Sequence, residues 1–235
     1  MPLIDFFTTH YILLILLTVA TLCNYVWLYF NKKSLNMNLV TYIIFPIFHT
    51  VIGIVFVFLF AYFESGFKFD AIGNLSLYGG VFFMPIIYFL YALIFKIKFN
   101  RSFDVFAISL IITLFFARIN CIIAGCCKGI VIGEGNLRVP TREIELLYYA
   151  LFLIFTVKEI YKNKTNGYIY PIYMFSYGFV RFIIEFLRES NSSSVFHIGH
   201  IWSLVSILVG TSFILYLYFA KGVRYGKVKE KEIIQ

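Results

Sequence analysis

Apolar positions fall into seven long stretches separated by short polar segments, at about His10–Phe30, Val40–Phe63, Leu77–Phe95, Val105–Ala124, Ile144–Tyr161, Tyr168–Leu187 and Ile201–Ala220. Each is close to the roughly 20 residues that an α-helix needs to cross a hydrocarbon core. Backbone polar groups cannot go unpaired in lipid, so each stretch is expected to be a helix rather than an open strand. The pattern predicts an all-α, polytopic membrane protein with seven transmembrane helices. No long Gly/Ser/Pro linker or soluble block interrupts it, so residues 1–235 are expected to form one domain, with 221–235 as a basic tail.

Composition agrees and narrows the class. Apolar residues make up 61% of the chain and charged residues 14%, well away from soluble averages of roughly half and a quarter. One soluble core could not hide so much apolar surface. The 29 Phe and 18 Tyr accompany abundant Ile, Asn and Lys, all residues with AT-rich codons, so the aromatics carry no functional weight.

Lys and Arg in the short loops give an orientation. Lys32, Lys33, Lys96, Lys98, Arg101, Lys158, Lys162, Lys164 and the tail residues Lys221, Arg224, Lys227, Lys229 and Lys231 belong to one side. The opposite loops hold only Lys68, Lys128, Arg138 and Arg142. The N-terminus is therefore expected outside and the C-terminus in the cytoplasm. The net charge of +8 reads as this bias plus attraction to anionic lipid, not as a nucleic-acid surface. With Asp5, no basic n-region and no small-residue cleavage site after it, the first stretch is expected to be a retained helix.

Ionisable residues inside spans cost about 2.5–3.5 kcal/mol each on insertion scales and ask for a reason. In the fourth stretch, Arg118, Cys121 and Gly125 share one helical face, and Cys126, Cys127 and Gly129 follow at its exit. In the sixth, Tyr173, Tyr177, Gly178, Arg181, Glu185 and Arg188 form a polar stripe that should face the bundle interior. Arg181 and Glu185 stand at i and i+4 and can pair. At this depth Arg118 and Arg181 outnumber Glu185, an excess of positive charge that suggests an anionic guest; Arg is suited to clasp phosphate. Tyr78, Gly79 and Gly80 open the third stretch on the same side. Glu143 and Glu145, which follow Pro140-Thr141 at the entry to the fifth stretch, lie on that side too and suit a helix N-terminus. A site opening toward the outer leaflet is expected.

Cys23 reads as a packing residue. A zinc site from Cys126, Cys127, His197 and His200 would supply four ligands, but adjacent cysteines are not the usual Cys-x-x-Cys spacing, and no metal or cofactor is expected. A disulfide between Cys121 and Cys126, or free thiols, are both open readings.

These motifs, in this order, resemble the prolipoprotein diacylglyceryl transferases from about the third span to the C-terminus. The Arg181-Phe-Ile-Ile-Glu185-Phe-Leu-Arg188 run is the most specific piece, followed by Arg118 through Gly129 and by Pro140-Thr141 with Glu145. The resemblance implies seven spans with the N-terminus outside. It implies a transferase of the bacterial cytoplasmic membrane that moves a diacylglyceryl group from phosphatidylglycerol to the lipobox cysteine of a prolipoprotein. It also implies that Arg118 and Arg181 hold the phosphate, that Glu185 orients Arg181 and that Gly129 shapes the loop. Arg118, Arg181, Glu185 and Tyr78 are the expected catalytic residues. Gly79, Gly80, Cys121, Gly125, Cys126, Gly129, Glu145, Tyr177 and Arg188 are the expected substrate-binding residues.

The chain departs from the family pattern at several points. His-Gly-Gly reads Tyr78-Gly79-Gly80, removing the obvious imidazole base. Arg-x-Gly-Asn reads Arg118-Ile119-Asn120-Cys121, and an acid is replaced by Cys126. Gly125-Cys126-Cys127 is similar to a branch of the family with Gly-Cys-Cys here. The second span carries His49, Thr50 and Gly53 where the family tends to Gly-Ala-Arg, and Val139 replaces a His. Two other readings follow from these differences: a thiol-dependent transferase with another acceptor, and a non-catalytic phospholipid-binding or transport protein.

Overall fold

A computed structural model describes residues 3–68, 75–133, 137–162, 167–189 and 196–233. Seven α-helices follow in order: α1 (Leu3–Asn31), α2 (Leu39–Glu64), α3 (Tyr78–Ile94), α4 (Phe99–Ile123), α5 (Thr141–Tyr161), α6 (Ile169–Phe186) and α7 (Ile198–Ile233). No strand occurs among the described residues; two isolated bridges, Gly129 with Arg188 and Val131 with Arg138, tie the α4–α5 loop to the end of α6 and to itself. Four helices are long and apolar enough to cross a membrane: Tyr11–Asn31, Leu39–Glu64, Phe99–Ile123 and Ile198–Ala220. The all-helical membrane fold expected from the hydropathy pattern is thus present. The helices that fall short by length or composition include α5 and α6, which carry the buried charges described below.

α4 is the central helix. Residues Ser102–Ile111 are buried on every side, as a helix surrounded by neighbours must be. It packs against α1, α3, α5 and α6. The helix begins at Phe99, not near Val105, because its polar first turns have partners. Arg101 donates to Asn31 Oδ1 at 3.0 Å and to Ser34 at 3.2 Å. The buried Asp104 carboxylate accepts from the backbone N–H groups of Gly167 (2.7 Å) and Ile169 (3.0 Å). It thereby places negative charge on the N-terminus of α6, where the helix dipole favours it. α5 likewise starts three residues earlier than expected, at Thr141, and α1 at Leu3.

α6 and α7 make the closest helix pair, and glycine is what lets their backbones meet. A Cβ at Gly178 would stand 2.7 Å from the Ser203 carbonyl, and one at Gly210 2.5 Å from the Phe175 nitrogen. Small residues drive such contacts where lipid offers no hydrophobic gain. Away from these seams, apolar side chains such as Ile43, Ile44, Ile47, Leu147, Ile154 and Leu208 point outward and are exposed. α7 continues past Ala220 to Ile233. Lys164 and the side chains of the basic tail, on which the expected orientation partly rests, lie outside the described residues.

Candidate active site

The ends of α2, α4 and α6 and the starts of α3, α5 and α7 gather at one end of the bundle, and the predicted polar residues meet there. The stripe on α6 faces inward as its spacing required: Tyr173, Tyr177, Gly178, Arg181 and Glu185 are all buried. Arg181 Nη2 lies 2.6 Å from Glu185 Oε2, so the i,i+4 pair forms. Arg188, one turn further and partly exposed, lies 3.7 Å from the same carboxylate oxygen.

The expected excess of cations does not survive the fold. Glu145, on the second turn of α5, is 1% exposed and stands between the two arginines. Its Oε1 pairs with Arg118 Nη2, and its Oε2 accepts from Arg181 Nη1 at 3.0 Å. Two buried guanidiniums thus face two buried carboxylates, and Glu145 is the bridge of the network rather than a dipole-compensating surface acid. Sequence spacing could not reveal this, because the pairings cross 27 and 36 residues of chain. Arg188 at the edge is the third cation of the site, and Glu64 at the end of α2, which also lines the space, is the third carboxylate.

What remains open is donor capacity. Arg118 Nε and Arg181 Nε are buried without a hydrogen-bond partner. An unsatisfied buried donor costs about 1–3 kcal/mol and calls for an acceptor that the protein does not supply. Both arginines line a cavity of about 330 Å³. One part of its wall is apolar, with Leu13, Leu17, Ile54, Met84 and Leu114; another is polar, with Arg118, Arg181, Glu185, Arg188 and Glu64. A space of this kind matches an amphiphile, head group against the guanidiniums and hydrocarbon against the leucines.

Other expected site residues divide into two groups. Tyr78, Gly80, Cys121, Tyr177 and Arg188 line the cavity. The Tyr78 hydroxyl lies 2.9 Å from Ser203 Oγ and donates to the Gly199 carbonyl at 3.1 Å, joining α3 to α7. Gly79, Gly125, Cys126 and Gly129 do not line it. A Cβ at Gly79 would stand 2.0 Å from the Phe56 carbonyl oxygen, so this glycine lets α3 meet α2. Gly125 has φ of +67° and turns the chain out of α4; Gly129 lies against the Val139 carbonyl, where a Cβ would be 2.2 Å away. His49, Thr50 and Gly53, the positions at which α2 departs from the family pattern, line the cavity too. Asn120 lines it as well, as do Glu64 and Gly199, which no sequence motif marks; Glu64 sits one residue beyond the end of the apolar run that defines the second span.

Beside the arginine network, the sulfur atoms of Cys121, Cys126 and Cys127 all lie within 4.8 Å of one another. None of the cysteines is in a disulfide. Cys127 lies beyond α4. The neighbouring Cys121 and Cys126 thiols, with Arg188 Nη2 2.9 Å from its sulfur, hold Cys127 below the ordinary thiol range. Of the two histidines that a four-ligand zinc set would need, His200 is occupied elsewhere: its Nδ1 accepts from the His197 backbone N–H at 3.0 Å, and its ring packs on Phe186.

With this geometry in view, the match of the chain to known proteins is informative. The model of the prolipoprotein diacylglyceryl transferase family matches residues 3–216. The chain belongs to that family. Among its relatives, a Helicobacter pylori (strain Shi470) protein named phosphatidylglycerol–prolipoprotein diacylglyceryl transferase is 29% identical over 174 residues, covering 66% of this chain and 61% of the relative. A protein of the same name from Chlorobaculum tepidum is 30% identical over 138 residues, 53% of this chain and 47% of the relative. One from Clostridium perfringens (strain 13), named phosphatidylglycerol–prolipoprotein diacylglyceryl transferase 2, is 31% identical over 94 residues, 34% and 37% of the two chains. The chain thus spans about half to three fifths of the length of the first two relatives it matches. The chain carries two buried arginines and the glutamates that pair them, with Tyr78, Cys121 and Cys126 at the three positions where the resemblance implies an imidazole, an amide and an acid.

Proposed function

We propose that this protein transfers the diacylglyceryl group of phosphatidylglycerol to the thiol of a lipobox cysteine in a prolipoprotein. It would do so as a single seven-span domain of the cytoplasmic membrane, N-terminus outside and C-terminus in the cytoplasm, with the cavity open to the outer leaflet. Family membership supports the reaction class, and the loop charge bias supports the orientation. The observation that carries the reading is the pair of buried, partnerless Nε–H groups on Arg118 and Arg181, two arginines that line a cavity with an apolar wall.

The chemistry follows from that arrangement. The acceptor thiolate attacks the glyceryl carbon bonded to the phosphate oxygen; a C–S bond forms and the C–O bond breaks. Glycerol phosphate leaves with the bonding electrons. Charge grows on that oxygen during the step, so donors already fixed in place stabilise the transition state without reorganising. Arg118 and Arg181 fill that role, held at fixed orientation by Glu145, while Glu185 locks Arg181 and meets Arg188 at the cavity edge. Gly80 and Tyr177 shape the wall against the glyceride. Tyr78 takes the family's His position, and its hydroxyl positions the α3–α7 seam beside the reacting groups. Cys121, Cys126 and Gly125, with the loop that Gly129 shapes, stand next to the entering thiol.

The test uses purified protein in phosphatidylglycerol-containing vesicles with a lipobox peptide, following release of glycerol phosphate. Release that requires the cysteine peptide, fails with its serine analogue and disappears in Arg181→Ala is the expected result. Phosphatidylglycerol that binds but is never consumed would refute the reading and favour a lipid-binding protein.

A further inference from the structure

The cysteine triad is left over from this account. The family pattern has an amide and an acid at two of its positions, and this chain has Tyr78 in place of the imidazole that could take the proton of an incoming thiol. We infer that Cys121, Cys126 and Cys127 bind one Zn²⁺ as three thiolates, leaving its fourth position to take the acceptor thiol; the second half of this inference rests on the transferase reading above.

Several observations converge on the site. Three sulfur atoms lie within 4.8 Å of one another. With Zn–S bonds of about 2.3 Å, tetrahedral ligands stand about 3.8 Å apart, so side-chain rotation of a few tenths of an ångström to an ångström closes the site. Among the described residues the group of candidate ligands consists of the three thiols alone, with Glu185 held off from Cys127 by Arg188; three thiolates select a soft or borderline divalent ion over magnesium or calcium. The loop that presents them is held by the first turn of α5. Thr141 Oγ1 donates to the Cys127 carbonyl at 3.1 Å, and Arg142 Nη1 to the Cys126 carbonyl at 3.4 Å. Cys127 itself has φ of +57°, a left-handed conformation that an L-residue adopts at a cost, after the left-handed Gly125. That double turn is what brings the Cys126 and Cys127 sulfurs back to Cys121 on the last turn of α4.

Charge and access fit as well. Zn²⁺ with three thiolates carries one net negative charge, and Arg188 is hydrogen-bonded to the Cys127 sulfur at 2.9 Å. Cys121 and Cys127 line the cavity that also holds Arg118 and Arg181, whereas Cys126 is exposed. The cluster thus stands between the cavity and the surface, where an acceptor entering from outside meets the lipid head group. A catalytic zinc site keeps three protein ligands and one open position. A thiol that coordinates there loses its proton to solvent and remains a nucleophile. Its sulfur then forms the C–S bond, the phosphate ester C–O bond breaks, glycerol phosphate departs with the electron pair and the metal keeps its charge. Zinc would replace the missing imidazole as the means of making a thiolate.

The experiment is Co²⁺ and Zn²⁺ binding to the full-length protein, purified under reducing conditions in detergent, with no lipid substrate needed. The expected result is one metal ion per chain and a thiolate-to-cobalt charge-transfer band with intense visible bands of tetrahedral cobalt. Cys126→Ser or Cys127→Ser should weaken binding by at least about 100-fold, in line with loss of one ligand or its support. Because a variant can misfold, mercurial titration of the wild-type protein supplies a second readout: it should release the zinc as the three thiols react. A lipobox peptide should then alter the cobalt bands, and its serine analogue should not. Fully reduced protein that binds no stoichiometric metal, metal retained after all three cysteines are replaced, or a Cys121–Cys126 disulfide in protein purified without reductant and lacking metal would overturn the site. Cobalt bands that ignore the peptide would overturn the open position. A loaded site with no glycerol phosphate release would leave the metal site standing and sink the transferase reading instead.

Discussion

Replacing Glu145 by Gln removes the charge that both buried arginines share while keeping the side chain's size. The glutamine carbonyl oxygen can still accept from one guanidinium, but its NH₂ group must face the other. Arg181 keeps Glu185 at 2.6 Å. Among the described residues Arg118 has no second carboxylate within 4.0 Å, so its charge, 4% exposed, is left uncompensated. Breaking a buried pair from one side costs about 3–5 kcal/mol. The partial replacement of one hydrogen bond puts the expected loss near the low end, about 3 kcal/mol, or more than 100-fold in the folding equilibrium. Denaturant unfolding in detergent micelles measures it. The decisive comparison is a double-mutant cycle. Adding Arg118→Met to Glu145→Gln removes the orphaned charge, so the double variant should be less destabilised than the sum of the singles by about 2 kcal/mol. A single variant within 0.5 kcal/mol of wild type on a scale where surface changes are about that size, or strict additivity in the cycle, would refute the bridging role of Glu145.

Arg181→Lys should fold but lose at least about 100-fold in glycerol phosphate release, since lysine cannot hold two carboxylates and still present a planar donor to phosphate; unfolding and turnover assays separate the two effects. Gly79→Ala should cost about 1–3 kcal/mol, because its Cβ would stand 2.0 Å from the Phe56 carbonyl oxygen. Gly80→Ala, whose Cβ finds nothing nearer than Leu110 Cδ1 at 3.7 Å, should leave stability nearly unchanged and act on turnover alone. Tyr78→Phe should lower turnover by no more than about tenfold, the worth of its hydrogen bonds to Ser203 and Gly199; a loss of several hundredfold in folded protein would make the hydroxyl a proton carrier. A fluorescent reporter fused after Gln235 should light up only in the cytoplasm, and a periplasmic phosphatase fused there should be inactive.

The hydropathy pattern was enough to find all seven helices, because lipid leaves the backbone no alternative to helix once a stretch is apolar. Helix starts were less legible. Arg101 and Asp104 look like loop residues until Asn31, Ser34 and the N-terminus of α6 are brought to them across the bundle. The inward stripe of α6 could be read from its own spacing, as could the Arg181–Glu185 pair. Glu145 could not, since nothing within α5 distinguishes an acid that suits a helix start from one that holds two arginines of other helices. The cysteines posed the opposite problem. Their adjacency in sequence argued against a metal site, and only the left-handed turn at Gly125 and Cys127 shows how their sulfurs come to lie beside that of Cys121.

The central claim is that a thiol leaves this protein carrying the glyceride of phosphatidylglycerol. Mass spectrometry of a lipobox peptide, incubated with the protein and phosphatidylglycerol of defined acyl chains, tests it most directly. The account predicts a mass increase of one diacylglyceryl group, and fragmentation that places it on the cysteine sulfur as a thioether. An unmodified peptide in the presence of folded protein and accessible lipid, or an acyl ester or amide in place of the thioether, would contradict it.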